Sequence, residues 1–289
     1  MPGTTAAPRI VVTGATGAVG RHVARLLPAD ADVRLFVRDV AKARRMGLPG
    51  ELVQGDHQDR PGLDRALRGA DAVFVVTANP LRPADDENVL AAARAGGVRR
   101  AVKLSWLGVA DPAADGLIAR WNRDAEALLR ASGLEWTVLR MRTPMSNALA
   151  WAPSIRGEGV VRALGGAARS ACVDPRDVAA VAVEALTRPG HAGRTYALTG
   201  PAPISVREQV RELSRVLRRP IAFEELTADQ ALARWRERLP EPIARALLEV
   251  AERRSTGASE HGEGDVEAVT GRPPAAFAAW AADHGPHFG

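Results

Sequence analysis

The sequence predicts an α/β fold: a doubly wound parallel sheet with helices on both faces, followed by a smaller C-terminal lobe. Three observations carry this. Short apolar runs alternate with segments of helical period through the first half. A glycine-rich turn separates the first run from the first helix. After about residue 151 the chain turns mostly helical, apart from segments near 170–200 that return to complete the sheet. The expected division is therefore 1–151 for the sheet domain and 152–289 for the lobe, which we expect to bind substrate and form a lid.

The elements follow in order. RIVVTG (residues 9–14) is a strand ending at glycine, and RHVARLL has helical period. Between them Gly14, Gly17 and Gly20 stand three apart, the order that places a pyrophosphate on a helix N-terminus. This is the dinucleotide-binding, Rossmann-type arrangement. DVRLFVR, ELVQGD, DAVFVV, RRAVKLS and LEWTVLR are the next strands, and AKARRM, PGLDRALRG, DDENVLAAARAGG and GLIARWNRDAEALLR the helices between them. VDPRDVAAVAVEAL is a helix capped by Asp174 or Asp177, and RTYALTG a strand of the second lobe. PISVREQVRELSRVL, TADQALARWRERL and EPIARALLEVAERR are helices, STGASEHGEG is a flexible loop, and the DHGPHF tail is a mobile end. No internal repeat is visible.

Composition bounds the function. At 289 residues, with 46% hydrophobic and 25% charged, the chain is an ordinary globular protein with one large domain or a domain plus an appendage. No apolar run approaches the roughly 18 residues that cross a bilayer, and MPGTTAAPR does not read as a signal peptide. The single cysteine, Cys172, excludes an internal disulfide and fits a reducing compartment, so we expect a cytoplasmic protein without a membrane partner. The net charge is +5, but the arginines alternate with Asp and Glu along helices, so nucleic acid is not expected. His22, His57, His191, His261, His284 and His287 show no zinc spacing backed by cysteine, so no metal is expected. Of 39 basic residues only Lys42 and Lys103 are lysines, which suggests positions that need a compact ammonium.

In such a fold, ligands sit beyond the carboxyl ends of the strands. That selects Gly14 to Gly20, Arg38, Asp56, Thr77 to Asn79, Ser105 and Met141 to Met145. A site for NAD presents Asp or Glu at the end of the second strand; here FVRD offers Arg38, with Lys42 one turn on, and Asp39 is free to cap the next helix. Two cations suit a 2′-phosphate, so NADPH is expected over NADH.

Nine segments carry a family resemblance: VTGATGAVG, VRLFVRDVAKA, VQGDHQD, GADAVFVV, AAARAGGVRRAVKLS, ASGLEWTVLR, DPRDVAAVAVEAL, GRTYALTGP and DVEAVTGRPPAAFAAW. With them the chain resembles, nearly end to end, the NmrA-like branch of the atypical short-chain dehydrogenases/reductases. The resemblance implies a nicotinamide cofactor, commonly NADPH. Carried over, the phosphate loop is Gly14, Thr16, Gly17, Ala18, Val19 and Gly20, and the adenine side is Asp56 and His57. The nicotinamide-ribose side is Thr77, Ala78 and Asn79, with Lys103 beside Ser105, the serine of the wider superfamily. The loop through Met141, Thr143 and Met145 would cover the nicotinamide. The family holds quinone, dye and ketone reductases, and also members that only sense nucleotide. This chain departs from it at Met141, where relatives often have proline, and at Asn122, where they have histidine or lysine.

The departure at the helix matters. The only tyrosine, Tyr196, sits in the expected second-lobe strand, so no Tyr-x-x-x-Lys pair exists. Ile118 and Asn122 occupy its place, four apart on one face, while Leu117, Trp121, Ala125, Leu128 and Leu129 form a packing stripe. Positioning supplies most of such an acceleration, and a placed acid only about 10²–10⁴-fold. Hydride transfer therefore survives if the substrate needs no strong acid. Ser105, Asn122 and Lys103 are the candidate catalytic groups. Trp106, Ile118, Met145, Trp151 and Trp235 are the candidate substrate pocket, suited to a flat aromatic molecule. The expected function is NADPH-dependent reduction of a planar aromatic ketone or quinone, as in polyketide tailoring. The alternative is a nucleotide-sensing regulator with a protein partner. Monomer and dimer both stay open.

Overall fold

The computed structural model describes residues 7–255 and 264–289, so most of STGASEHGEG lies outside the described residues. The alternation expected of the first half is present. β1 (Arg9–Thr13), α1 (Gly20–Leu26), β2 (Asp32–Val37), α2 (Val40–Arg45), β3 (Glu51–Gln54) and α3 (Arg60–Leu67) lead to β4 (Ala72–Val75), α4 (Ala84–Ala95), β5 (Arg100–Trp106), α5 (Leu117–Ala131) and β6 (Glu135–Met141). A 3₁₀ turn, Met145–Trp151, then precedes α6 (Ala152–Glu158), β7 (Val160–Ala163), β8 (Arg169–Ser170), α7 (Pro175–Thr187) and β9 (Arg194–Leu198). The rest is β10 (Ile204–Ser205), α8 (Val206–Leu217), β11 (Ala222–Glu225), α9 (Ala228–Arg236), α10 (Glu241–Ser255), α11 (Val266–Thr270) and α12 (Phe277–His284).

The chain forms two compact units. The first comprises residues 1–106, 121–140 and 178–196; the second comprises 107–120, 141–177 and 197–289. The main sheet runs β3-β2-β1-β4-β5-β6-β9, and β1 pairs in parallel with both β2 and β4. The sequence order reverses between β1 and β4, where α/β sheets open a ligand crevice. The middle of β1 and the whole of β4 are apolar because central parallel strands are covered on both faces: Ile10, Val11, Val12, Val73, Phe74 and Val75 are fully buried.

In the second unit, two helices start on complete capping boxes, Ser205 with Glu208 for α8 and Thr227 with Gln230 for α9. The uncertainty over the cap of α7 resolves: the Asp174 carboxylate accepts the Arg176 amide at 2.8 Å, and Asp177 accepts the amide of Ala275.

Three expectations need correction. The DHGPHF tail is no mobile end. Phe288 is fully buried against Trp280, and Arg219 donates to its carbonyl at 3.1 Å, because an aromatic terminus gains more from the core than from solvent. Tyr196 belongs to β9, an edge of the main sheet. It is half-buried rather than core, and its hydroxyl lies 2.8 Å from His191 Nδ1. Leu128 is 39% exposed and leaves the packing stripe, whose buried members are Ala125 and Leu129.

A buried ion pair crosses the floor of the sheet. Lys103 Nζ lies 2.7 Å from Asp86, both 1% exposed, and the Thr77 hydroxyl donates to the same carboxylate at 2.9 Å. A compact ammonium fits this closed site. Removing one partner strands a buried charge, whereas removing both does not. Lys103→Met should therefore destabilise the fold by about 3–5 kcal/mol in urea unfolding, and Asp86→Leu added to it should restore most of that loss.

Candidate active site

The cleft of the first unit is built from strand ends. β1 ends at Gly14, whose φ of +62° makes the turn; a Cβ there would sit 2.9 Å from Val76 Cβ. The turn closes through the Gly17 amide on the Gly14 carbonyl at 2.9 Å. Gly20 opens α1 against that carbonyl, where a Cβ would come within 2.3 Å of its oxygen. Thr13 ties the neighbouring strands together, donating to the Phe74 carbonyl at 3.0 Å and accepting from the Val76 amide at 2.8 Å.

Around this turn lies a cleft of about 630 Å³, lined by Gly14, Thr16, Gly17 and Ala78 and Asn79 from the end of β4. Arg38, Lys42, Asp56 and His57 line it too. Ala18, Val19, Gly20, Thr77 and Lys103 do not. Thr77 and Lys103 are held in the buried pair. Asp39 caps α2, accepting the Lys42 amide at 2.8 Å. Arg38 and Lys42 are exposed and form no ion pair among the described residues. A dinucleotide 2′-phosphate therefore fits this corner, and the glycine turn, which a Cβ at Gly14 or Gly20 would push apart by colliding with Val76 or the Gly14 carbonyl, brings backbone amides to the cleft.

Sequence reasoning missed Arg82, which lines the same cleft. It pairs with Asp56 and reaches Asp85 at 3.2 Å. Its hydrogen bond holds the Asp56 carboxyl below the usual range. Burial pushes the His57 imidazole below its ordinary value, although Asp85 pulls the other way. The ring stays neutral near pH 7 and stacks 6.0 Å from Phe36. The signal was available: ANPLRP follows a strand end, and an arginine there faces the cleft.

Two of the three candidate catalytic residues, Ser105 and Asn122, join Glu126 in a second cluster; the third, Lys103, is not in it but in the buried pair with Asp86, because a buried ammonium needs its counter-charge. Ser105, Asn122 and Glu126 are nearly closed off from solvent. The Ser105 hydroxyl donates to Glu126 at 2.6 Å, and the Asn122 side-chain oxygen is 3.5 Å from it. Glu126 also receives Arg140 and Arg130, at 2.7 and 2.8 Å. Burial alone would raise the Glu126 carboxyl, but the hydrogen bonds from Arg140, Ser105 and Arg130 outweigh it and hold it below the usual range. Glu126 stays an anion that accepts protons' hydrogen bonds and donates none. It lies one helical turn beyond Asn122, on the stripe that begins at Ile118.

The remaining candidates are spread over both units. Trp106 ends β5, half-buried, and Ile118 is half-buried near the start of α5. In the second unit Trp151, Trp235 and Thr143 line one cavity, Met145 lines another, and Met141 is buried. Cys172 lines both cavities, and burial pushes its thiol up to about 12, so it stays protonated. Among the described residues no cluster of His, Cys, Asp and Glu could hold a metal, and no helix is long and apolar enough to cross a membrane.

A strand-turn-helix phosphate cradle with a cationic corner defines a nicotinamide-dinucleotide binder. The chain belongs to the NAD(P)H-binding family, whose pattern matches residues 14–189. It is 53% identical to the (4-alkanoyl-5-oxo-2,5-dihydrofuran-3-yl)methyl phosphate reductase of Streptomyces griseus, over 96% of this chain and 99% of that one. It is 36% identical to the NAD(P)H azoreductase of Xenophilus azovorans, over 97% and 99%. The fold matches the Escherichia coli NADPH-dependent quinone oxidoreductase crystallised with NADPH, with a TM-score of 0.80, 25% identity, and coverage of 95% and 99%. The chain is an NAD(P)H-dependent oxidoreductase.

Two outcomes follow. Arg38→Glu should weaken NADPH by roughly 10- to 100-fold, the worth of one charged hydrogen bond, and leave NADH nearly unchanged in a fluorescence titration. Equal loss for both would place Arg38 away from the 2′-phosphate. For Glu126, the carboxyl is held low in the folded state, so its stabilisation is full above about pH 4.3 and is lost as pH falls through the lower folded value. Glu126→Gln should lower stability by roughly 2–3 kcal/mol at neutral pH and flatten the acid limb of a Tm-versus-pH curve.

Proposed function

We propose that this chain uses NADPH to reduce a conjugated, electron-poor carbonyl compound, and that the acceptor rather than the protein removes the need for a strong acid. One observation carries the reading: where a donor pair would stand, α5 offers Ile118 and Asn122, and the nearby Ser105 hydrogen is committed to Glu126. Bound NADPH would supply the hydride. The residues of this chain hold that cofactor and keep charge fixed around it.

Two of the relatives, the butenolide phosphate reductase and the quinone oxidoreductase, fit one chemical description. The compound in the name of the Streptomyces griseus reductase has a ring double bond between carbons 3 and 4, with two carbonyls attached to carbon 4. Hydride addition at carbon 3 moves the double-bond pair onto those two oxygens. The product is a delocalised enolate, weakly basic, that takes its proton from water. A quinone likewise leaves a stabilised phenolate-type anion. Ser105 and Asn122 then serve as fixed dipoles beside the developing charge rather than as acids. A planar aromatic ketone with a neighbouring phenol meets the same need differently: hydride at the carbonyl carbon gives an alkoxide, which takes the phenol's proton and leaves a phenolate.

The test is a panel with purified protein, following NADPH loss. A 4-acyl butenolide bearing a phosphomethyl group and menadione should be reduced, and cyclohexanone should be at least about 10²-fold slower, the value of the missing acid. With deuterated NADPH, the label should appear on ring carbon 3 of the butenolide. Rapid reduction of cyclohexanone, or no turnover of any acceptor, would overturn the reading. Ile118→Tyr with Asn122→Lys should bring no gain on the conjugated acceptors.

A further inference from the structure

The second unit holds a cavity of about 220 Å³ whose charge is unbalanced. That volume is below the range for a whole drug-sized ligand, so it suits the head of one. Three arginines line it, Arg162, Arg234 and Arg254, and no carboxylate does among the described residues. Arg162 is accounted for: Glu158 and Glu224 flank it at 2.8 and 2.5 Å. Arg234 is exposed, makes no close ion pair among the described residues, and feels the Glu158 carboxylate only at a distance. Arg254 is half-buried, its Nε is sealed from solvent, and no hydrogen-bond partner meets it. Burial pushes the Arg254 guanidinium below its usual value, and Cys172, the neighbouring titratable group, stays a neutral thiol.

A guanidinium set into a cavity without its counter-charge costs stability, and such groups are kept where an anion arrives from outside. Arginine's planar fork matches phosphate with two parallel hydrogen bonds. The Gln209 side chain adds a further donor to the lining, and the Trp151 and Trp235 rings give it apolar walls. We infer that this cavity binds the phosphate monoester of the substrate, with the half-buried Arg254 as its anchor, Arg234 at the surface, and the tryptophans against the adjoining carbon chain. The identity of the phosphate's carrier rests on the proposed reductase reading; the anion site does not.

Hexyl phosphate is the probe, titrated into protein saturated with NADP⁺ so that the cofactor corner is occupied. Tryptophan emission should change saturably, and hexanol should not reproduce the change. Arg254→Met should weaken hexyl phosphate about 10- to 100-fold, the worth of one charged hydrogen bond, and Arg254→Lys should recover part of it. Arg254→Met should also keep or raise Tm, because it removes a half-buried cation whose Nε has no partner; a residue serving only the fold would lower it. Should Arg254→Met fail to fold, Arg234→Ala at the exposed position reads the same loss, smaller in size. Wild-type protein that does not bind hexyl phosphate, or Arg254→Met protein that binds it equally well, overturns the inference. Failure of the reductase reading looks different: hexyl phosphate binds, yet NADPH is not oxidised with any acceptor.

Discussion

Glu126 is the carboxylate around which the candidate catalytic corner is built. Buried on α5, it draws Arg140, Arg130 and the Ser105 hydroxyl to one point. The arrangement is self-reinforcing. Each donor keeps the carboxylate ionised despite burial, and the ionised carboxylate fixes each donor. The consequence for chemistry is restrictive. A hydroxyl whose hydrogen is held at 2.6 Å by an anion is a dipole in a set direction, not a ready acid. Catalysis in such a corner comes from placement and from charge already in position, which are the large contributions.

The buried pair of Lys103 and Asp86 plays the matching role two residues back along β5, on the same face of the strand. It takes the lysine and Thr77, both of which sequence position would assign to the cofactor, and turns them inward. Two polar networks thus sit in succession along the strand that ends at Trp106. The open cations are elsewhere: Arg38 and Lys42 at the dinucleotide corner, Arg254 and Arg234 in the second unit's cavity. The molecule separates charges that hold the fold from charges left for ligands.

The sheet and its glycine turn were legible because local rules decide them. The middle of β1 and the whole of β4 are apolar runs since both faces are covered, and Gly14 and Gly20 sit where a Cβ would collide. The cap at Asp39 and the cation at Arg38 were likewise readable, since both are set within a few residues of a strand end. What escaped depends on distant partners. Nothing near Phe288 announces that it will be buried under Trp280. Nothing near Lys103 announces Asp86, 17 residues earlier in the chain. Glu126 could have been found, since it continues the face of Ile118 and Asn122, but its partner Arg140 lies on the following strand. Arg254 is the opposite case: a last-turn arginine reads as an ordinary solvated charge until the cavity around it is seen.

The proposed reduction depends on no protein-borne acid. The most direct measurement is the pH dependence of kcat for a conjugated acceptor such as menadione, taken from about pH 6 to 9, where a tyrosine or lysine donor would titrate. A flat profile with no ionisation is the predicted result. A limb falling with rising pH, abolished by changing one side chain of this site, would show that the protein supplies the proton and would contradict the account.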